Sequence, residues 1–354
     1  MSYNLIVNLK KEIDYSYPII IDRGCIEDIL EMYYDSFFII DSTIYSFYGK
    51  FFVNIDKKFI YEASEENKNI ESVLEILKWL KNNQANRRSK LIVLGGGITG
   101  DVGGFAASIY MRGVGFIQVP TTLLSMVDSS VGGKTGVNFE RRKNFIGSFK
   151  QPEKVFIDTI FLSTLADKEY KNGLAEVIKY SLMFDEKFYE FLLLNYNKIT
   201  AKEKDTVMDM IYRCCKLKAD VVRLDEFESG IRKFLNFGHT IGHAIEVDSN
   251  YSIKHGFAVA IGMYLETLIG AELGEVEKDT IDFVIKILRL FGFDYKYKVR
   301  NKDLFIRAMM DDKKIEDKGL VLSLTNGIGA GKIINGISME DILTILKKSG
   351  VFDG

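Results

Sequence analysis

The sequence has few residues of the kinds that crosslink or interrupt a chain. Its 354 residues include three cysteines, three prolines, three histidines and one tryptophan. Three cysteines with no CxxC pair exclude a disulfide framework, and no proline follows Pro152, which favours long helices in the second half. The first residues lack the pattern of a secretory signal, and no run of about 18 apolar residues occurs, so we expect a cytoplasmic protein without a membrane span.

A surplus of positive charge is also missing. The 47 lysines and arginines are balanced by 49 acidic residues, which gives a net charge of −2. Without a basic surplus there is no general attraction for nucleic acid or for an anionic membrane, and we predict neither as a partner. Hydrophobic residues make up 47% of the chain, a typical share for a globular protein, and the length fits about two domains.

Apolar patterns divide the chain into two parts. In the first part, short apolar segments alternate with helical periodicity, which indicates a parallel sheet covered by helices. The predicted strands are 18–21, 37–40, 91–94 and 115–119, with helices at 71–80 and 101–112. The second part is predicted to be helical at 167–196, 202–222, 239–246, 256–273 and 280–291, with small strands at 320–324 and 332–334. We therefore predict an α/β domain over residues 1–162 and a mostly α-helical domain over residues 163–354.

Residues 95–100, with the sequence GGGITG, fit the G-x-G-x-x-G pattern between a predicted strand and a predicted helix. In that place glycines let a dinucleotide pyrophosphate approach the backbone and the free N–H groups of the helix. A simple tight turn fits the pattern as well. The next strand ends in Pro120 and not in an acidic residue that would bind a ribose, so Asp41, after an earlier strand, is the better ribose partner.

A second glycine-rich segment, GGKT at 132–135, is not a P-loop. That motif requires a glycine where this chain has Asp128. Lys134 is therefore either a contact for an anion or a solvated loop lysine.

The three histidines lie in one short window of the chain: His239, His243 and His255. His239 and His243 are four residues apart and share one helical face, a spacing that can bind a divalent metal. A zinc protease would need glutamate where Thr240 stands, which excludes that class. A third ligand is expected to be a carboxylate, and Glu176 is a candidate because it lies on an otherwise apolar helix face. The alternative for Glu176 is a buried ion pair with Lys179.

Cationic side chains are spread between these segments next to small residues. They are Arg112, Lys134, Lys143, Lys179, Lys218, Arg232, Lys313 and Lys314. Most charged residues in any protein are simply solvated, but Arg232 and Asn236 lie one to two helical turns before His239. Because guanidinium and ammonium groups bind carboxylates and phosphates, a site with these cations, a dinucleotide and a metal suits an anionic, hydroxylated substrate.

Taken together, these segments resemble the 3-dehydroquinate synthases. The matching stretches keep the family's order and spacing and cover nearly the whole chain: 95–113, 119–138, 143–152, 173–180, 218–246, 255–263 and 311–314. The resemblance implies conversion of 3-deoxy-D-arabino-heptulosonate 7-phosphate to 3-dehydroquinate and phosphate, with NAD and a divalent metal, zinc or cobalt. It also implies a Rossmann-like N-terminal domain, a helical C-terminal domain, a site in the cleft between them, and a homodimer.

Carried over residue by residue, the resemblance implies three metal ligands: Glu176, His239 and His255. His243 then contacts the substrate or relays a proton, which replaces the pairing of His239 with His243 favoured by spacing alone. The residues implied for NAD are Asp41, Glu65, Lys68, Gly97, Ile98, Thr99, Gly100, Asp101, Thr121, Thr122, Lys134, Lys143, Phe161, Leu162, Ser163 and Thr164. The residues implied for the phosphorylated sugar acid are Asp128, Lys134, Asn144, Lys179, Lys218, Arg232, Asn236, Lys313 and Lys314. Arg112 is implied to reach the phosphate, in the same or a neighbouring subunit.

Two positions depart from the family pattern. Ser64 stands where a glycine usually precedes Glu65, and Phe257 stands where a glutamate usually follows Gly256. Neither position is an implied metal ligand. We therefore expect changes of detail around the site and not a different reaction.

Three alternatives share parts of this pattern. Other sugar-phosphate cyclases, such as 2-deoxy-scyllo-inosose synthase, share the fold, but Lys218, Arg232 and Asn236 together favour a carboxylate-bearing substrate. Glycerol dehydrogenases share the architecture but lack the GGKTGVN and KNFIGSF stretches. A non-catalytic NAD-binding protein would be expected to have lost the metal ligands, and all three are present in the sequence.

Overall fold

The fold is known from a computed structural model that describes residues 14–140, 142–228, 230–311 and 319–352. Within these ranges, no helix combines the length and the apolar character needed to cross a membrane.

The first part of the chain forms strands with helices between them. The strands are β1 (Ile19–Asp22), β2 (Phe37–Asp41), β3 (Lys58–Tyr61), β4 (Lys90–Gly95), β5 (Gly115–Pro120), β6 (Lys134–Phe139), β7 (Arg142–Phe149) and β8 (Lys154–Asp158). The helices are α1 (Ile26–Met32), α2 (Ser42–Tyr48), α3 (Ile70–Asn82) and α4 (Gly97–Ile109). Single turns of 3-10 or π helix occupy Gly49–Phe52, Tyr110–Arg112, Ser125–Ser129 and Thr159–Ser163.

Six of these strands form one parallel sheet in the order β1-β8-β5-β4-β2-β3. The central strands β2 and β4 are nearly continuous runs of buried apolar residues, as expected when helices cover both faces of a sheet. Because the strands are parallel, the carboxyl ends of β2, β4 and β5 lie at the same edge. That edge is where α/β proteins bind ligands. The remaining pair, β6 and β7, forms a separate antiparallel hairpin.

The second part of the chain is mostly helical. Its helices are α5 (Asp167–Phe184), α6 (Glu186–Leu194), α7 (Tyr196–Thr200), α8 (Lys204–Leu224), α9 (His239–Asp248), α10 (His255–Glu272), α11 (Asp279–Leu290), α12 (Lys302–Asp311) and α13 (Met339–Lys348). A 3-10 turn covers Ile231–Asn236, and the antiparallel hairpin of β9 (Leu320–Thr325) and β10 (Gly331–Ile337) precedes α13.

One expectation about the elements is wrong, and several strands were not predicted. The single helix predicted over 167–196 is interrupted at Asp185, whose backbone is extended. The Asp185 side chain accepts a hydrogen bond from the N–H of Phe188 at 3.0 Å and so begins a new helix, α6. The sequence pattern also did not predict β3, β8 or the β6–β7 hairpin.

The two parts share a hydrophobic core. Leu123 and Met126, which follow β5, belong to the same buried cluster as Leu174 of α5 and Cys214 of α8. The predicted domain boundary after residue 162 falls inside the 3-10 turn Thr159–Ser163. The hydrophobic core therefore contains side chains from both sides of the predicted boundary.

Asp158, at the end of β8, fixes the turn between β1 and α1 to the sheet. This fully buried carboxylate accepts hydrogen bonds from the backbone N–H groups of Gly24 (2.7 Å), Ile26 (2.9 Å) and Ile160 (3.0 Å). One side chain thereby satisfies the first turns of two helical segments on either side of the sheet edge.

Replacement of this carboxylate is expected to destabilise the protein. Asp158→Ala leaves three N–H groups without an acceptor, and we expect the free energy of unfolding to fall by about 2–4 kcal/mol. Urea unfolding measures the change, with Asp35→Ala as the control because Asp35 is a largely exposed aspartate. A loss of less than about 0.5 kcal/mol, the range of ordinary surface substitutions, would contradict this role.

Candidate active site

Three helices of the second part approach one another through glycine. A Cβ atom on Gly262 of α10 would collide with the carbonyl oxygen of Gly238, at the start of α9. A Cβ on Gly256, also of α10, would collide with the carbonyl oxygen of Asn172 on α5. The absence of a side chain at these two positions lets the backbones of α5, α9 and α10 come into contact.

Buried hydrogen bonds fix the same junction. The carboxylate of Glu266 on α10 accepts from the N–H groups of Gly238 (2.7 Å) and Ile241 (3.0 Å), and so caps the start of α9. The side-chain oxygen of Asn172 accepts from the N–H of Gly256 at 2.7 Å, at the start of α10. Both histidine-bearing helix starts are therefore held by side chains of neighbouring helices.

This junction brings together one carboxylate and two imidazoles, one from each helix. Nε2 of His239 lies 3.5 Å from Oε1 of Glu176, and Nε2 of His255 lies 3.3 Å from the same oxygen. The potential ligand atoms of these three residues all lie within 4.8 Å of one another. The structure thus places together the three residues that the resemblance implies as metal ligands.

The donor set fits a divalent metal. Ligand atoms about 2.0–2.1 Å from one tetrahedral zinc ion lie about 3.3–3.4 Å from each other, close to the two distances to Glu176. Glu176 is fully buried, and neither of its carboxylate oxygens makes a contact with hydrogen-bond geometry, although Lys179 lies within ion-pair distance. A buried carboxylate without such bonds is costly, and a cation between the three residues would remove that cost.

The local charges favour the protonation states of a metal site at Glu176 and His239. Burial alone would raise the pKa of Glu176, but the charge of Lys179 and the contacts with His239 and His255 outweigh it and lower the pKa to about 2. Burial and the Lys179 ammonium lower the pKa of His239 to about 3, which keeps its imidazole neutral. His255 lies between two carboxylates, whose contacts outweigh burial and raise its pKa to about 10.

His243 is one helical turn after His239, but it is not a member of the group of ligand atoms formed with Glu176. Its ring is 5.4 Å from that of His239 and 5.9 Å from that of His255, measured between centroids. It belongs instead to a second group of potential ligand atoms with His255 and Glu246. Glu246 was missed in the sequence, although its spacing of three residues from His243 places both on one face of α9.

The glycine-rich segment forms the turn from β4 into α4, with Gly96 as the residue before the helix. The helix start therefore presents N–H groups at the carboxyl edge of the sheet. Asp41, at the end of the adjacent β2, accepts a hydrogen bond from the hydroxyl of Thr99 at 3.2 Å. The N–H of Thr121, after β5, donates to the carbonyl of Gly95 at 3.0 Å, which joins the ends of two strands.

The β6–β7 hairpin carries further predicted NAD and substrate residues to this edge. Lys68 donates to the carboxylate of Asp101 at 2.6 Å and to the side-chain oxygen of Asn144 on β7. Lys143, the neighbour of Asn144, lies 3.9 Å from Glu65. The hairpin therefore closes over the start of α4.

The predicted residues after β8 lie in the turn Thr159–Ser163 and just beyond it. Phe161 and Leu162 are buried in the core. The hydroxyls of Ser163 and Thr164 lie 3.3 Å and 3.1 Å from the hydroxyl of Tyr48. Here the structure shows packing and hydroxyl contacts, and their role toward NAD stays a prediction.

A buried ion pair lies between the sheet and the metal-ligand candidates. Lys218 of α8 donates to a carboxylate oxygen and to the carbonyl of Asp128, both at 2.6 Å, and Tyr180 donates to the same carboxylate at 2.7 Å. Burial would raise the pKa of Asp128, but Lys218 and Lys179 hold it well below its usual range. Burial lowers the pKa of Lys218. Lys179 donates to the carbonyl of Leu235 at 2.7 Å and so holds α5 against the turn before α9.

Arg232 and Asn236 lie in the turn Ile231–Asn236 and face the hairpin. The buried guanidinium of Arg232 donates to the carbonyls of Gly132, at 3.1 Å, and Glu226. The carboxylate of Glu228 accepts from Asn236 at 2.7 Å and forms an ion pair with Lys134, the first residue of β6. Groups from both parts of the chain thus meet around Glu228.

One predicted substrate residue, Arg112, is separate from the glycine-rich turn, and two others lie outside the described residues. Arg112 lies in the turn after α4, at the end of that helix opposite the glycine-rich turn, and thirteen helical residues span about 20 Å. Among the contacts of the described ranges, none joins Arg112 to another predicted site residue. Lys313 and Lys314 lie outside the described residues.

Comparison with known proteins places this geometry in a family. The family model described as 3-dehydroquinate synthase N-terminal matches residues 58–172, and the model described as 3-dehydroquinate synthase C-terminal matches residues 173–315. The chain belongs to the 3-dehydroquinate synthase family. A family member, 3-dehydroquinate synthase from Dictyoglomus turgidum, is 42% identical over 350 residues, which cover 97% of this chain and 98% of that protein.

Two solved structures that are similar to the present chain contain a metal and NAD⁺. One is 2-epi-5-epi-valiolone synthase from Streptomyces hygroscopicus with NAD⁺ and Zn²⁺ bound, which has a TM-score of 0.88, 26% identity and coverage of 97% of this chain and 99% of the other. Another is 2-deoxy-scyllo-inosose synthase complexed with carbaglucose-6-phosphate, NAD⁺ and Co²⁺, with a TM-score of 0.83, 26% identity and coverage of 94% and 96%.

The two departures from the 3-dehydroquinate synthase pattern leave the site geometry in place. Ser64 does not have a positive φ, so its turn does not need the usual glycine. Its backbone carbonyl accepts from the N–H of Lys68 at 3.0 Å. Phe257, in place of the usual glutamate, packs on Phe293 with ring centroids 5.5 Å apart, and the ammonium of Lys171 lies over its ring.

Proposed function

We propose that this protein is a 3-dehydroquinate synthase, which converts 3-deoxy-D-arabino-heptulosonate 7-phosphate to 3-dehydroquinate and phosphate. The observation that carries the proposal is the family match over both parts of the chain, with Glu176, His239 and His255 meeting at one point. The reaction eliminates phosphate and closes a carbocyclic ring without net oxidation.

We assign a divalent metal, zinc or cobalt, to Glu176, His239 and His255, and NAD to the edge formed by β2, β4 and the start of α4. When bound, the metal acts as a Lewis acid on a substrate oxygen, and NAD takes up and returns a hydride. The low pKa of His239 keeps a lone pair available on its ring. The helix start at Gly97 offers N–H groups to the pyrophosphate, and Asp41 lies where a ribose hydroxyl would follow.

The substrate is assigned to the space between the hairpin and the turn Ile231–Asn236. Arg232 is the main anchor for an anionic group because its buried guanidinium is fixed by two backbone carbonyls. Glu228 holds Lys134 and Asn236 next to each other, so each part of the chain contributes one polar anchor. The ion pair of Lys218 with Asp128 fixes a second cation beside them. Such positioned cations bind carboxylate and phosphate best.

We also propose that the working form is a homodimer in which Arg112 serves the neighbouring subunit. Arg112 lies at the opposite end of α4 from the glycine-rich turn, where NAD is assigned. Met111 and Arg112 both have positive φ values, 49° and 70°, and Ile109 and Met111 are exposed apolar residues beside them. Strained backbone of this kind persists where a functional contact depends on it.

The choice of substrate tests the activity. With NAD and zinc, we expect phosphate release from 3-deoxy-D-arabino-heptulosonate 7-phosphate with a kcat/KM about 1000-fold or more above that for glucose 6-phosphate or sedoheptulose 7-phosphate. The reason is that the buried polar groups that bind the substrate carboxylate would have no partner when the sugar has no carboxylate.

The same measurement distinguishes 3-dehydroquinate synthase from the alternative functions. Turnover of glucose 6-phosphate or sedoheptulose 7-phosphate, without phosphate release from the heptulosonate, would assign the chain to another sugar-phosphate cyclase. An enzyme inactive on all three substrates, with NAD and metal bound, would favour a non-catalytic NAD-binding protein.

A further inference from the structure

Glu246 is a carboxylate on α9 that faces the metal-ligand candidate His255, and its side chain is only 5% exposed. It is seven residues after His239, two turns along the same helical face. Burying an isolated carboxylate is unfavourable unless charged or hydrogen-bonding groups surround it. Its partners therefore indicate what it does.

The two oxygens of Glu246 have different partners. Oε2 lies 3.3 Å from Nδ1 of His255, and Oε1 accepts from the ammonium of Lys143 at 2.9 Å. Lys143 comes from β7 and also lies over the ring of Tyr251, 4.6 Å from its centroid. The carboxylate is thus fixed on one side by a cation of the hairpin and is directed on the other side at one imidazole.

The rings of His239 and His255 each have a hydrogen-bond acceptor at Nδ1, a backbone carbonyl for His239 and a carboxylate for His255. Nδ1 of His239 lies 3.1 Å from the backbone carbonyl of Phe237, while Nδ1 of His255 faces the carboxylate of Glu246. In both rings Nε2 is directed at Glu176. In the neutral ring that binds a metal, an acceptor at Nδ1 keeps the single proton there and leaves the lone pair on Nε2.

We propose that Glu246 is a positioning residue that sets the tautomer and ring orientation of His255 for the metal and that is itself held by Lys143. The inference rests on the proposed metal at Glu176, His239 and His255. Outer carboxylates of this kind typically contribute 10–100-fold to metal affinity. Nothing in this role requires Glu246 to contact the metal or the substrate.

A different role would be a second metal bound by His243, Glu246 and His255, whose ligand atoms also cluster. That arrangement would use Nδ1 of His255 as a ligand. The same nitrogen cannot carry the proton directed at Glu246, so one metal ion per chain and a protonated Nδ1 are expected.

Cobalt binding to the full-length protein tests the proposal. We expect Glu246→Ala to weaken Co²⁺ binding about 10–100-fold in competition with a chelator, and to change the visible absorption of the bound ion. Glu246→Gln is expected to lose less affinity, because its amide oxygen can still accept from Nδ1. The matched control is Asp248→Asn, since Asp248 is a buried carboxylate on the same helix that accepts from Tyr297 at 2.6 Å. That control is expected to lower stability without changing Co²⁺ affinity.

The possible results distinguish the metal site itself from the role of Glu246 beside it. A wild-type protein that binds no Co²⁺ would overturn the proposed metal site itself. Wild-type affinity and spectrum in Glu246→Ala, or two Co²⁺ ions per chain, would overturn the role of Glu246 and leave the first site standing.

A measurement on the unmodified protein covers the case in which Glu246→Ala does not fold. The chain has three histidines, so nitrogen NMR of the zinc-loaded protein contains three imidazoles. We expect His255 to carry its proton on Nδ1 with Nε2 bound to the metal. A metal-bound Nδ1 in His255 would contradict the proposal.

Discussion

Removal of the divalent metal is expected to lower the rate of phosphate release from the heptulosonate phosphate at least about 1000-fold. Polarisation of a substrate oxygen by a metal contributes several kcal/mol to the transition state, and each 1.36 kcal/mol corresponds to a tenfold change in rate. Glu176, His239 and His255 supply three ligands, which leaves a coordination position for the substrate. The comparison is between chelator-treated protein, with its metal content measured, and the same sample after zinc is added back.

Restoration by different ions is the control for this experiment. Zinc or cobalt is expected to restore activity because both bind imidazole nitrogen well. An excess of Mg²⁺ is expected not to restore activity, because Mg²⁺ prefers six oxygen ligands in octahedral geometry. Full activity in a sample shown to be free of metal would refute the proposed site.

Arg232→Ala is expected to raise the KM for the heptulosonate phosphate about 10–150-fold, while the affinity for NAD changes less than about twofold. A hydrogen bond to a charged group contributes about 1.5–3 kcal/mol, which gives this range. The guanidinium contacts Gly132 and Glu226, whereas NAD is assigned to Asp41 and the start of α4, which have other partners. Steady-state kinetics and direct titration with NAD give the two values.

Two further variants control for a structural effect of this substitution. Arg223→Ala removes an exposed arginine from α8, where its only described ion pair is with Asp220, and is expected to change neither constant. Arg232→Lys keeps the charge but not the fork of donors, and is expected to recover only part of the loss. Equal losses of substrate and NAD affinity in Arg232→Ala would contradict its role as a substrate anchor.

The sequence predicted strands that alternate with helices in the first part of the chain, and helices in the second part. Both predictions were possible because the apolar residues recur with strong periodicity. The position of the metal-ligand candidates could not be derived from spacing. His239 and His243 are neighbours on one helix, but the structure places His239 with Glu176 and His255, which come from other helices. Only resemblance to a family, and not local pattern, carries information about contacts between residues so far apart in the sequence.

Other features were missed for local reasons. The β6–β7 hairpin pairs Gly136 with Gly147, so part of each strand lacks the β-branched side chains that indicate a strand. The break in helix 167–196 had a usable signal, because Asp185 is a good residue to begin a helix. Glu246 also had one, since it follows His243 at helical spacing, but its partners His255 and Lys143 come from elsewhere in the chain.

The glycine contacts among α5, α9 and α10 have a consequence for how such a site can change. Neither Gly256 nor Gly262 leaves room for a single methyl group, so the spacing of the three helix axes is set by backbone touching backbone. Because these backbones already touch, the three helices cannot move closer together to bind a smaller ion or to compensate for a shorter ligand side chain. A preference for a smaller ion would therefore have to come from the ligand side chains and their neighbours, with the separation of the three helices unaltered.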